Sequence, residues 1–218
     1  VSDRTATFEH VLRLEPGRTA LVVVDMQRGF VDPGQAMEVP PARDTVPVIR
    51  TLLDAFRAAR LPVVFTAFVY SPDVPLLVGA LHPEHRPAPP GAPRGFGLPS
   101  SCCLEGDPSV EVIDALKPLE GEPVIRKRRY DAFAGSDLDG ALRARAITSL
   151  VVTGTMTDIC VLATVVGAFN REYRVTVVDD AVSTLWPAIQ RATLDIIGRA
   201  FGRVVSSKSV IDTLGTWR

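Results

Sequence analysis

The chain has 218 residues, 46% of them hydrophobic and 22% charged, and its basic and acidic side chains nearly cancel to a formal net charge of −1. That balance leaves no electrostatic footprint for nucleic acid or an anionic membrane surface. No window approaches the ~18 uninterrupted apolar residues of a spanning helix. One domain covering 1–218, large enough to bury a full core, is the expected organisation.

Three cysteines, two of them adjacent at Cys102 and Cys103, do not make a disulfide framework. The first ten residues, VSDRTATFEH, lack the apolar run of a secretory signal. The expectation from both is a reduced, cytoplasmic protein.

Taken in order, residues 1–17 read as a leader packed on the outside. Thr19–Val24 (TALVVV) is a near-continuous apolar run, as in a central parallel strand covered on both faces. Asp25-Met26-Gln27 follows it, then a loop with Gly29, Asp32, Pro33 and Gly34. Apolar residues at helical spacing (Val48, Leu52, Leu53, Phe56) predict a helix over Asp44–Arg60, and Leu61–Val69 a second strand. Residues 70–108 are rich in proline and glycine and hold His82, His85, Cys102 and Cys103; a loop this long reads as a lid or a subunit contact. Beyond it come a short helix (Val110–Leu116), a strand (Pro123–Arg126), a helix (Asp137–Arg145) and a strand (Leu150–Thr153). The rest is a helix (Cys160–Arg171), a strand (Arg174–Val178), a helix (Pro187–Phe201) and a short edge strand at Val204-Val205. Strands alternating with helices predict an α/β fold, Rossmann-like and doubly wound, with a mainly parallel sheet and helices on both faces.

Candidate chemistry collects at strand ends. In LVVTGTMTDIC, Gly154 breaks an apolar run and a polar turn leads into helical spacing at Cys160, with Thr157 or Asp158 available as N-cap. Cys160 therefore stands at the first turn of a helix beyond the carboxyl end of a core strand, where open α/β sheets place ligands. There the helix dipole lowers a thiol pKa. A lone cysteine is also common core filler. Asp25 projects from the end of the first strand, partly desolvated and suited to proton transfer, or is a turn-former. Lys127 lies in a basic run (Arg126, Lys127, Arg128, Arg129) that would serve equally as a solvated face; side-chain alternation places it with Ile125. A thiol, an acid and an ammonium suit thiolate attack on a carbonyl. In that chemistry Asp25 is the proton carrier, Lys127 the electrostatic support, and the backbone N–H groups of Met156 and Cys160 the oxyanion hole.

Asp25-Met26-Gln27 after an apolar strand, Lys127 with Arg129-Tyr130 and Ala132-Phe133, and Gly154-x-x-Thr157-x-x-Cys160-Val161, in that order, resemble the isochorismatase-like cysteine hydrolase superfamily. The similarity spans about Arg18 to Val205. It implies an Asp25–Lys127–Cys160 triad and a non-proline cis peptide at Thr155–Met156. Nicotinamidases of this fold carry an Asp-x-His metal site after the second strand; here that stretch reads FTAFVYSPDVP. Metal ligation by His82 and His85 is therefore not expected, nor is any cofactor. The stretch from Lys127 to Phe133 with Ser136-Asp137-Leu138-Asp139 is closest to the branch of N-carbamoylsarcosine, ureidoacrylate and biuret amidohydrolases. Asp131, where that branch has Ser or Gly, and Thr155, where it has a small or β-branched residue, are departures that bear on the substrate rather than on the triad.

Phe30, Tyr70, Tyr130, Phe133 and Trp186 are the aromatic residues expected to wall a pocket, with Thr157 and Asp158 as polar contacts or turn-formers. Cys102 and Cys103 read as incidental thiols in a flexible loop. The expected activity is hydrolysis of a C–N bond in a small linear amide, carbamoyl or ureido compound through a covalent thioester-type intermediate. A vinyl-ether hydrolase using Asp25 alone, an idle binding or scaffold module, and a flavodoxin-like redox domain are the alternatives; the last lacks a Gly-rich phosphate loop. The expected partners are a small-molecule substrate and further copies of the chain, in a homodimer or homotetramer.

Overall fold

A computed structural model describes residues 13–70 and 102–217. His82, His85, most of the 70–108 segment and the first twelve residues of the expected leader lie outside the described residues. Six parallel strands form one sheet in the order β3-β2-β1-β4-β5-β6: β1 Thr19–Val24, β2 Val63–Phe68, β3 Val124–Lys127, β4 Ser149–Thr155, β5 Arg174–Ser183 and β6 Arg203–Val205. The strand order reverses between β1 and β4, which pair from Thr19↔Ser149 to Val24↔Gly154. A crevice therefore opens at their carboxyl ends.

Alternation along β1 divides the core in two. Leu21 and Val23 pack with Ile49, Leu52, Leu53 and Phe56 of α2 (Ala42–Ala58) and with Val210 and Leu214 of α6 (Ser207–Gly215). Ala20, Val22 and Val24 face the opposite layer, with Leu138 and Leu142 of α3 (Leu138–Arg143), Val165 and Ala168 of α4 (Leu162–Phe169) and Ile197 of α5 (Pro187–Ala200). Both faces of the sheet are thus covered by helices, which is why β1 and β2 read as unbroken apolar runs.

Gly154 fits where no other residue can. Its φ is +109°, and a Cβ there would lie 2.0 Å from the Val24 carbonyl oxygen. The end of β4 can press against the end of β1 only without a side chain.

Several element expectations need correction. The Gly29 loop contains a helical turn, α1 (Arg28–Val31). Val110–Leu116 is not a helix but two 3₁₀ turns, Pro108–Val110 and Asp114–Leu116; the Asp107 side chain caps the first, accepting from the Ser109 N–H at 2.8 Å. β5 continues to Ser183 through the exposed Asp179 and Asp180, where alternation gives no strand signal. α6, absent from the sequence reading, is capped by Ser206 and moored to β5 by the Asp180 carboxylate, which accepts from the Ser207 N–H at 2.8 Å and its hydroxyl at 2.6 Å. No helix among the described residues is long and apolar enough to cross a membrane.

Candidate active site

Asp25 is the first residue beyond β1 and takes a left-handed backbone, φ 50°. For a non-glycine residue that conformation is worth about 1–3 kcal/mol of strain, held by its surroundings. Thr66 of β2 does much of the holding: its hydroxyl accepts from the Asp25 N–H at 3.2 Å and donates to Oδ1 at 2.6 Å. Gln27 ties the same strand ends together. Its amide donates to the Phe68 and Val110 carbonyls, both at 3.0 Å, and accepts from the Phe68 N–H at 2.7 Å.

Lys127 ends β3, whose residues alternate exposed and buried, so Ile125 and Lys127 point inward while Val124 and Arg126 face water. Its ammonium meets Asp25 Oδ2 at 2.7 Å, donates to the Arg129 carbonyl at 3.1 Å and sits 5.0 Å from the centre of the Phe68 ring. Burial works against the charged ammonium. The charge of Asp25, the larger of the opposing effects, together with interactions with Cys160, more than offsets it and holds the lysine above its ordinary pKa.

Cys160 lies within a π-helical turn, Thr157–Val161, between β4 and α4. The Met156 carbonyl accepts from Ile159 at 3.2 Å and Val161 at 3.0 Å, the residues on either side of the cysteine. π turns of this kind recur at functional sites. The Thr155–Met156 peptide preceding the turn is cis. Thr157 and Asp158 do not cap the helix with their side chains; Met156 occupies that position. The Cys160 thiol interacts electrostatically with both Asp25 and Lys127, so the three residues separated in sequence are coupled. The expected lowering of the thiol pKa is reversed. Burial pushes it up, Lys127 pulls it back, and Asp25 raises it again. At neutral pH the site holds a thiol beside an ion pair, and the helix dipole is outweighed by desolvation.

Cys160 forms part of the wall of a small pocket, about 20 Å³, together with Phe30, Met37, Phe68, Tyr130, Met156 and Ile159. Of the aromatic residues expected to wall a pocket, Phe30 and Tyr130 line this one. Tyr70 does not line this pocket; its ring stands edge-on against Phe68, with centroids 4.7 Å apart. Phe133 belongs to the second core layer, against Tyr173 and beneath the Arg171 guanidinium. Thr157 is fully buried with its hydroxyl unpartnered among the described residues, and Trp186 instead heads α5 at the surface. Met37, Phe68 and Ile159 were missed and carry no local signal. Thr66 did carry one: it is the polar residue inside the otherwise apolar VVFTAF. A larger hollow of about 410 Å³, bounded by Asp107, Glu111, Lys117 and Arg126, contains none of Asp25, Lys127 and Cys160.

Both sequence departures turn out to serve the scaffold. Asp131 accepts from the Phe133 N–H at 2.8 Å, and its carboxylate fills the space beside Gly167 of α4, where a Cβ would lie 2.3 Å from Oδ1. The Thr155 hydroxyl donates to the Ser183 carbonyl at 3.2 Å and joins β4 to β5. Cys102 and Cys103 are not loop thiols exposed to solvent. Both are buried, packed on α1, because a glycine at 29 leaves room for the two sulfurs. Among the described residues no group of three or more His, Cys, Asp or Glu is placed to hold a metal ion.

A family model described as the isochorismatase domain matches residues 19–209. The ureidoacrylate amidohydrolase RutB of Pseudomonas savastanoi pv. phaseolicola is 34% identical over 203 residues, 89% of this chain and 83% of that protein. The crystal structure of a cysteine hydrolase from Pseudomonas syringae pv. phaseolicola superposes with a TM-score of 0.83 at 31% identity, covering 94% of this chain and 96% of the other. N-carbamoylsarcosine amidase from Thermoplasma acidophilum gives a TM-score of 0.69 at 32% identity, over 87% and 96% of the two chains.

Proposed function

The chain belongs to the isochorismatase family of hydrolases, and from that premise we propose that it is a cysteine amidohydrolase acting on a small linear amide, carbamoyl or ureido compound. The observation that carries this reading is the Asp25–Lys127 ion pair at 2.7 Å, withdrawn from water and coupled electrostatically to the Cys160 thiol at the wall of an apolar pocket. Similarity to proteins named ureidoacrylate amidohydrolase and N-carbamoylsarcosine amidase supports the substrate class.

Because burial keeps Cys160 protonated, its proton leaves as the sulfur attacks. Asp25 takes that proton while the Cys160 sulfur bonds to the carbonyl carbon, and the carbonyl π electrons move to oxygen. Backbone N–H groups of Met156 and Cys160 receive that oxyanion. Asp25 then returns the proton to the leaving nitrogen as the C–N bond breaks, releasing ammonia or an amine and leaving a thioester on Cys160. In the second half Asp25 draws a proton from water, hydroxide attacks the thioester, and the thiol regains its proton. Lys127 keeps the Asp25 carboxylate oriented and balances negative charge as it passes between oxygen and sulfur. Phe30, Phe68 and Tyr130 exclude bulk water, which strengthens each of these electrostatic terms.

The test is ammonia or amine release across a panel of primary amides, ureas and N-carbamoyl compounds, with Cys160→Ala as control. Release by the native chain that the control lacks supports the reading; release by both equally overturns it.

A further inference from the structure

Cys102 and Cys103 take no part in the hydrolysis just described, yet their setting is specific. Neighbouring side chains on an extended chain point to opposite sides. Here Cys103 adopts φ 60°, and both sulfurs turn to the same side, 4.0 Å apart. They rest on Gly29, where a Cβ would lie 2.8 Å from each sulfur. As a thiol, Cys102 donates from Sγ to the Gly29 carbonyl at 3.5 Å, and Cys103 Sγ accepts from the Gln27 amide at 3.9 Å. The Cys103 N–H donates to the Ser109 hydroxyl at 2.7 Å, and its carbonyl accepts from the Tyr70 N–H at 2.8 Å. A bound turn thus presents two thiols to each other.

The two sulfurs are not equivalent. Cys102 keeps 5% exposure and Cys103 none. The hydrogen bond between the thiols pulls Cys102 down to about 7. The same bond, burial and the charges of Cys102, Asp25 and Cys160 hold Cys103 far above the ordinary range. Cys102, the sulfur with an opening to solvent, is therefore the one that a small oxidant meets first, and Cys103 lies behind it.

We propose that Cys102 and Cys103 form an oxidation site for hydroperoxides, distinct from Cys160, in which Cys102 reacts first and Cys103 resolves it to an internal disulfide. The Cys102 thiolate attacks the terminal peroxide oxygen. The O–O bond breaks, the leaving oxygen takes up a proton, and Cys102 becomes a sulfenic acid with release of water or an alcohol. Cys103 sulfur then displaces the sulfenic hydroxyl, which leaves as water with the Cys103 proton, and the S–S bond forms. Sulfur loses two electrons in total and the peroxide gains them. Adjacent Cα atoms stand about 3.8 Å apart across a trans peptide, shorter than the roughly 4.4–6.8 Å that a disulfide usually spans. The ring that forms is therefore strained and readily reduced, as a reversible modification requires.

The experiment is intact-mass and peptide analysis of the full chain in a Cys160→Ser background, before and after hydrogen peroxide. The expected product is lighter by two hydrogen atoms, maps to the peptide holding both cysteines and returns to the starting mass with dithiothreitol. A further Cys103→Ser change should accumulate a dimedone-reactive sulfenic acid at Cys102, whereas Cys102→Ser should not label at Cys103. No mass loss, a sulfinic acid at Cys102, a linkage between chains or the reverse labelling pattern overturns the proposal. The mass change in the unaltered pair decides the matter even if a serine variant fails to fold.

Discussion

The Asp25 carboxylate and the Lys127 ammonium, 102 positions apart in the chain, meet at 2.7 Å with side-chain exposures of only 1% and 0%. Neither charge can lose its partner without leaving the other stranded in the interior. Lys127→Met should therefore destabilise by about 3–5 kcal/mol, and the double change Asp25→Asn with Lys127→Met should recover a substantial part of that loss. Denaturant midpoints of the two single variants and the double variant measure it. Strictly additive losses would mean the pair is not coupled.

Cys160→Ala removes a single buried sulfur atom, so the fold should survive while amide turnover falls by ~10⁴-fold or more, the scale seen when a covalent nucleophile is deleted. Circular dichroism and a substrate-panel assay read the two effects separately. A thioester adduct on native Cys160, trapped by acid quench and weighed, should be missing from the variant. Undiminished vinyl-ether hydrolysis by the variant would favour Asp25 working alone.

Alkylation of Cys160 should report its neighbours with opposite signs. Asp25 raises the thiol pKa and Lys127 lowers it. The pH midpoint for reaction with iodoacetamide should thus lie above 9, move down in Asp25→Asn and move up in Lys127→Met. Site-resolved mass spectrometry across a pH series is the measurement, and equal midpoints in all three proteins would contradict the arrangement. The same shift has a stability consequence. A folded-state pKa raised above the ordinary thiol value of 9.0 favours the protonated form in the native state. The native chain then binds more protons than the unfolded one above about pH 9, and stability falls as pH rises through that range. Cys160→Ala should flatten that decline.

Gly154 and Gly17 both have positive φ, but only Gly154 has a neighbour in the way. Alanine at 17 meets open space and should cost about 1–2 kcal/mol for its left-handed backbone. Alanine at 154 would collide with the Val24 carbonyl as well, and a loss of at least ~4 kcal/mol or failure to fold is expected. Thermal midpoints and soluble yield compare the two; equal effects would mean the β1–β4 contact is looser than the structure places it.

Much of the fold was legible because a doubly covered parallel sheet writes itself as apolar runs, and TALVVV, VVFTAF and SLVVTGT are such runs. The three converging residues were legible because each ends or follows a strand. What sequence could not reveal depended on tertiary surroundings. The dipole argument for Cys160 was sound locally, but desolvation by the pocket walls outweighs it. Phe133 and Tyr70 have the composition of pocket residues, yet ring partners from other elements claim them. Cys102 and Cys103 sit in a proline- and glycine-rich stretch that suggests exposure, and only the missing side chain at Gly29 reveals where the sulfurs go.

Asp131 and Gly167 occupy one volume between them. A carboxylate can stand at 131 only while a hydrogen atom stands at 167, so the two positions behave as a single two-letter choice made by distant parts of the gene. Anyone reshaping the loop that carries Tyr130 must therefore redesign α4 in the same stroke, or accept that the loop will be levered off the helix.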